Sequence, residues 1–343
     1  MKALQQELSI RPFRDGDERA VVELLNASLG GGPAGIRPPE FFRWKHLANP
    51  FGRSFMLVAE ADGRIIGLRA FMRWRFRAGE QMFTAVRAVD TATHPDFQGM
   101  GIFTRLTRQA LEELRGEIDF VFNTPNEKSL PGYLKMGWRI VERVRPWVRV
   151  RRPVKVARGF RSLRTVDADR EGTPPHLRAA PAGDILRDTE YVSALLQSAD
   201  STDAGLQTPR DVAYLQWRYA APPLLDYRAI HVGDGDSLHG LAIFRARPRG
   251  ILWEATIVEL IVRPADNRTA SRLLRRVIHS GLVDHVTCLF PGRSNAARAA
   301  RRHAFLPAPV GGTLVVNPLR DGLSPDPGRP ESWALSLGDL EVF

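Results

Sequence analysis

The densest chemistry in the sequence lies in one stretch, Ala88-Val89-Asp90-Thr91-Ala92-Thr93-His94-Pro95-Asp96-Phe97-Gln98-Gly99-Met100-Gly101-Ile102-Phe103. The residues from Met82 to Thr93 read as a strand, and Ile102 to Arg115 as a helix with Ile102, Leu106, Ala110 and Leu114 on one face. A strand that turns directly into a helix leaves the helix's first backbone N–H groups unpaired and converging, where the helix dipole also favours negative charge. Gly99 and Gly101 remove side chains from that turn, so a ligand oxygen can approach the backbone. The chemistry implied is a phosphate or pyrophosphate cradle; a tight turn with no ligand accounts for the same two glycines. The spacing is not the dinucleotide fingerprint, which needs a third glycine. Nor is it a P-loop, which ends in Gly-Lys-Ser/Thr. Asp90 stands within the apolar strand, where burial would raise its pKa and suit it to accept a proton. A pair with Arg87, or exposure on the other strand face, is the plainer alternative.

A second element follows at Asn126-Glu127-Lys128-Ser129-Leu130-Pro131-Gly132-Tyr133-Leu134-Lys135-Met136-Gly137-Trp138. Taken together, Gln98 and Gly101 in the loop and Asn126, Tyr133, Lys135, Gly137 and Trp138 downstream resemble the GNAT superfamily of acyl-CoA-dependent N-acyltransferases. That family's loop reads Arg/Gln-x-x-Gly-x-Gly/Ala, and its later helix reads Asn, six residues, then Tyr-x-Lys-x-Gly-Phe. The resemblance covers residues 8–150. It departs at Phe103, where Gly or Ala is expected and where the ring would have to turn away, toward the sheet. His94-Pro95 and a tandem arrangement are most similar to the enhanced-intracellular-survival type, without that type's C-terminal sterol-carrier-like domain.

The resemblance implies acetyl-CoA, or another acyl-CoA, as co-substrate, and direct attack by a primary amine of a small molecule or peptide. It places Tyr133 as the acid that protonates the departing thiolate, although a tyrosine packed beneath Trp138 fits the same position. Asp90 is then the candidate base, with Glu60 a weaker one. The backbone of Thr91, Ala92 and Thr93 would line the pantetheine arm. Gln98, Gly99, Met100, Gly101, Ile102 and Phe103 would hold the pyrophosphate, and Asn126 and Ser129 complete the cofactor-binding set. No metal site is expected, because His94 has no His-x-x-His or acidic cluster near it. Two other readings compete. A Fem-like transferase using aminoacyl-tRNA would suit the basic charge but does not need the Gln-x-x-Gly loop. A catalytically inactive GNAT-like binding protein is kept open by Phe103.

An internal repeat organises the elements that must position these residues. Phe41-Phe42-Arg43-Trp44-Lys45 precedes Asn49-Pro50, and Tyr214-Leu215-Gln216-Trp217-Arg218 precedes Pro222-Pro223. Trp44 and Trp217, Pro50 and Pro223, and Gly67 and Gly240 are each 173 residues apart. Ile10-Arg11-Pro12 with Asp17 resembles Leu177-Arg178-Ala179 with Asp184 at an offset of 167. The expected fold is therefore α/β, a mixed sheet with helices, present twice in a tandem GNAT arrangement. The expected division is 1–155 as the domain with the acyl-CoA site, 156–176 as a basic linker, 177–320 as a degenerate second copy and 321–343 as a surface tail. Within the first copy, Asp62-Gly63 marks a hairpin turn and Leu29 to Gly35 a Gly-rich loop. Strands near Trp138 to Val150 would close that copy. The second copy's loop, Arg263 to Ser271, keeps a proline at Pro264 but has no glycine, and Asp266 would repel a pyrophosphate.

Composition limits the remaining options. The 343 residues are 43% hydrophobic and 25% charged, enough for two cored domains and unlike a disordered chain. A single cysteine, Cys288, excludes a disulfide framework and reads as a core residue. No run approaches the roughly 18 apolar residues of a membrane span, and no signal-peptide core is seen, so a cytoplasmic protein without a membrane partner is expected. The net charge is +11, and all but five of the 49 basic residues are arginines. They are scattered along the chain, with local density only at 139–163. An anionic cofactor or substrate is therefore a better expectation than nucleic acid as the main partner.

Overall fold

The computed structural model describes residues 8–29, 37–159, 174–199, 205–235, 237–292 and 294–340. Most of the expected linker, and the Gly-rich loop beyond Leu29, lie outside them. The chain forms two compact units, and it enters each more than once.

The first unit comprises Met1–Phe76, Met82–Glu142 and Thr313–Arg329. Its elements are β1 (Ser9–Pro12), α1 (Glu18–Leu29), α2 (Pro39–Phe42), β2 (Phe55–Ala61), β3 (Arg64–Ala78), β4 (Gln81–Thr93), α3 (Ile102–Leu114), β5 (Phe120–Asn123), α4 (Leu130–Lys135) and β6 (Arg139–Val144). A π-turn, Arg43–Leu47, extends α2, with the Ala48 amide donating to the Arg43 carbonyl five residues back. The sheet order is β1-β2-β3-β4-β5-β14-β6, where β14 is Gly312–Pro318. Thus the last gap of the first sheet is filled by a strand from far down the chain. Val315 to Pro318 pair antiparallel with Asn123 to Phe120.

The second unit comprises Arg77–Gln81, Arg143–Gly312 and Pro330–Phe343. It contains β7 (Trp147–Val150), α5 (Pro153–Gly159), β8 (Ala180–Pro181), α6 (Ala182–Leu186), α7 (Thr189–Ala199), α8 (Val212–Leu215), β9 (Tyr227–Asp234) and β10 (Ser237–Arg249). β11 (Leu252–Val262), α9 (Asn267–Ile278), β12 (His285–Cys288), α10 (Asn295–Arg302), β13 (Leu306–Pro307) and α11 (Leu337–Leu340) complete it. Its sheet order is β13-β7-β12-β11-β10-β9-β8. Read from β8, this is the first sheet's order repeated, with β7 from the first half of the chain in the place that β14 occupies in the other sheet.

The expected duplication is therefore present, and the expected boundaries need correction. Trp147–Val150 does not close the first sheet; it pairs with His285–Cys288 in the second. The segment after residue 320 is not a surface wrap throughout, since α11 buries Gly338 and Asp339 in the second unit. The first correction has a plain cause: alternation identifies a strand but not its partner.

The repeat's glycines have a packing role. A Cβ on Gly67 would lie 2.8 Å from Ile102 Cγ2 and 3.1 Å from Leu106 Cδ1 of α3. A Cβ on Gly240 would lie 2.6 Å from Thr269 Cγ2 and 2.9 Å from Leu273 Cδ1 of α9. In each unit a bare backbone in the second long strand lets the following helix sit close against the sheet. The apolar face of α3 expected from its periodicity is the buried one, with Ile102, Leu106, Ala110 and Leu114 in the core.

Candidate active site

β4 and β5 pair in parallel only at Ala85–Arg87 with Phe120–Phe122, yet β4 runs on to Thr93. The two strands part beyond Arg87, and the second half of β4 has no β5 partner. Asp90 lies in that half with φ at +41°, a left-handed conformation costing a non-glycine residue on the order of 1–3 kcal/mol. What holds it there is a dense set of contacts. Its carboxylate accepts from Arg37 Nη1 at 3.1 Å and His46 Nε2 at 2.9 Å, and stands 2.6 Å from Lys45 Nζ. His46 Nδ1 faces Ser54 Oγ at 2.9 Å, so the ring donates to Asp90 and accepts from the serine. The π-turn makes this possible by turning Trp44, Lys45 and His46 all into the interior.

The expectation of a raised pKa for Asp90 is overturned by these partners. Burial alone would raise it, but Lys45, His46 and Arg37 outweigh burial and hold it well below the usual carboxylate range. Burial pushes Lys45 down against the pull of Asp90, and lowers His46 so that its ring is neutral. A carboxylate stabilised as an anion this strongly is a poor proton acceptor. Glu60 is also engaged, accepting from Arg11 Nε at 2.9 Å.

On the half of β4 that has no β5 partner, Thr91 meets a second buried cation. Arg69 of β3 is fully buried, and its Nη1 donates both to Thr91 Oγ1 and, at 2.9 Å, to the hydroxyl of Tyr133. Its guanidinium lies 4.2 Å from the Phe71 ring centre, 5.4 Å from Tyr133 and 5.7 Å from Phe103. Nε and Nη2 of Arg69 are buried without a hydrogen-bond partner among the described residues. Tyr133 is itself buried, edge-on to Trp138 at 5.0 Å and to Phe103 at 5.6 Å. The Phe103 ring thus turns across to α4. The facing residue there is Gly132, where a Cβ would lie 3.2 Å from the ring. The bulky residue in the loop is matched by a missing side chain in the facing helix.

The loop has the form expected of an anion cradle. Gly99 and Gly101 have φ of +79° and +75°, which glycine adopts without strain. Gly101 caps α3 with no side-chain hydrogen bond, leaving the first N–H groups of the helix open. Gln98 Nε2 donates to the Thr93 carbonyl at 3.3 Å and braces the loop, and Met100 is exposed. Ala92 is buried and Thr93 half-buried at the end of β4. Asn126 Oδ1 accepts from the Ser129 amide at 2.9 Å and its hydroxyl at 3.0 Å, so these two residues shape the turn into α4. His94 accepts from the Asp96 amide and caps a single 3-10 turn. No group of three or more His, Cys, Asp or Glu among the described residues is arranged to hold a metal.

The sequence reading passed over Arg69 and the clamp on Asp90. An arginine between Leu68 and Ala70 in an apolar strand, and a Lys-His pair following three buried aromatics, were the available signals.

Residues 9–141 match the family model of the acetyltransferase (GNAT) domain. Solved structures of the same fold span nearly the whole chain. A GCN5-related N-acetyltransferase from Anabaena variabilis shares 15% identity at a TM-score of 0.63, over 92% of this chain and 73% of its own. A probable N-acyltransferase from Enterococcus faecalis gives 12% and 0.59, over 91% and 73%. Eis1 from Mycobacterium abscessus gives 14% and 0.55, over 91% and 73%. No curated protein matches the sequence.

Proposed function

We propose that the chain is an N-acyltransferase that moves acetyl, or a related acyl group, from acyl-CoA to a primary amine of a small molecule or peptide by direct attack. The observation that carries this reading is the Arg69–Tyr133–Thr91 contact beside the strand end where β4 has left β5. The residues present fit an acyl-CoA. The open N-terminus of α3, with Gly99, Met100, Gly101, Ile102 and Phe103, would hold its phosphates. The edge of Thr91–Thr93 that has no β5 partner would hold its amide arm, joined by Asn126 and Ser129. The bound group supplies an activated thioester.

Because Arg69 can only donate, the Tyr133 hydroxyl accepts from it and turns its own hydrogen away from the guanidinium, toward a departing thiolate. The ring of Phe103 excludes water from one side of the pair. Asp90 is assigned to anchoring the strained strand, not to proton transfer.

Calorimetric titration of the full chain with acetyl-CoA tests this. The expected result is one site per chain, lost in Gly101→Glu, together with thiol release lowered about 100-fold or more in Tyr133→Phe. Two sites would contradict a single cradle. Absence of binding would end the acyl-CoA reading.

A further inference from the structure

The arginines that look scattered along the sequence gather in the fold at one place in the second unit. α9 and α10 pack against each other and carry seven arginines: Arg268, Arg272, Arg275 and Arg276 on α9, and Arg298, Arg301 and Arg302 on α10. Neither helix contains an acidic residue or a lysine. All seven are exposed. No carboxylate among the described residues pairs with any of them; their contacts are neutral, such as Arg276 with the His231 carbonyl at 2.6 Å and Arg298 with Asn295 Oδ1 at 3.3 Å. A groove of about 550 Å³ runs along this face, lined by five of the arginines with Asn267 and Ser271. Like charges at i,i+4 (Arg268 and Arg272, Arg272 and Arg276, Arg298 and Arg302) disfavour both helices. The first unit shows no such build-up, since α3 offsets Arg105 and Arg108 with Glu112 and Glu113.

We infer that this face docks the sugar–phosphate backbone of a nucleic acid. From Arg268 to Arg276 the row is about 12 Å long, over which one strand of a duplex presents roughly four phosphates. Guanidinium forks match phosphate oxygens in pairs, and Asn267 and Ser271 add neutral donors. A protein partner fits less well: protein interfaces are built round an apolar or aromatic centre, and no exposed large hydrophobic residue lies on α9 or α10. The absence of base-reading geometry makes the contact one of charge and spacing, independent of nucleotide sequence.

The test is fluorescence anisotropy of the full chain with labelled single-stranded RNA and duplex DNA of about 20 nucleotides across a salt series. Log affinity is expected to fall linearly with log salt, at a slope of roughly −3 to −6. Arg272→Glu with Arg276→Glu should weaken binding about 100-fold or more at low salt. Arg272→Gln with Arg276→Gln, which removes the two charges without adding any of opposite sign, should make the slope shallower by about two. Acetyl-CoA titration is expected to be the same in both variants as in the parent chain. The inference is overturned if the parent chain binds neither probe, if the charge-reversed variant binds as well as the parent, or if poly-glutamate displaces the nucleic acid at equal charge, which marks an acidic-protein surface instead.

Discussion

Asp90 and Glu259 stand at the same place in the two units, each five residues beyond the first pair of its parallel ladder, Ala85 with Phe120 and Glu254 with His285. Each is gripped from a π-turn by residues 173 apart, His46 donating to Asp90 and Tyr219 to Glu259 at 2.8 Å. Around them the two units diverge. The first has the glycine loop, an uncapped α3 and the Arg69–Tyr133 pair. The second has Asp266 accepting from the Thr269 amide at 2.9 Å, so its own side chain fills the helix terminus. Ala242 stands where the repeat's offset places the partner of Arg69. An acid kept by the copy that has lost the rest belongs to the scaffold. It secures the strand where the sheet opens, and the proposed chemistry draws on what is present in one copy alone.

The comparison can be broken by experiment, and the largest effect should come from the acids. Asp90→Asn leaves Lys45 buried beside a neutral amide and should cost about 3–5 kcal/mol in denaturant unfolding. Glu259→Gln should cost less, about 1–3 kcal/mol, because Asp339 still faces Arg210 at 3.4 Å. A stable Asp90→Asn variant with thiol release reduced a hundredfold would return Asp90 to the role of base.

Acid should separate the units. The folded pKa of His46 is lowered from 6.5 and that of Asp90 from 3.8, so both contribute stability that is present above those values and lost as pH falls through the folded ones. Glu259 is raised, chiefly by burial, so its contribution is present in acid and lost as pH rises through the folded value. Hydrogen exchange followed by peptide mapping should therefore show β4 and the first π-turn opening below pH 6.5 before their counterparts do. Simultaneous opening would show that the two clamps are not electrostatically distinct.

Two smaller effects sharpen the picture. Gly67→Ala and Gly240→Ala should each cost about 1–3 kcal/mol, because the new methyl meets the helix in both units. A neutral result in only one unit would mean that the helices are not seated alike. Asp266→Ala should cost about 1 kcal/mol as a lost cap and leave acetyl-CoA binding at one site per chain. A second site appearing in that variant would show that one carboxylate had been masking a complete cradle.

Much of the site was legible because its signals are local. The Gly99–Gly101 turn, the helical face of α3 and the Tyr133–Trp138 pairing each lie within a dozen residues of sequence. Arg69 was not legible, since its partners Thr91 and Tyr133 are 22 and 64 residues away. The same holds for Asp90, whose acidity depends on Lys45 and Arg37 across α2 and the π-turn. The strand positions of Trp147–Val150 and Gly312–Pro318 followed the same rule: the pattern marks extended backbone, and the ladder they join is set by contacts formed far away in the chain.

The exchanged strands also order events in time. β5 ends at Asn123, and the strand that covers its open edge begins at Gly312. At about 5–20 residues per second of synthesis, β14 emerges roughly 10–40 s after β5. Throughout that interval the first sheet of the nascent chain carries an unpaired edge, the kind of surface on which chaperones and aggregation compete. The sheet begun first is thus completed last.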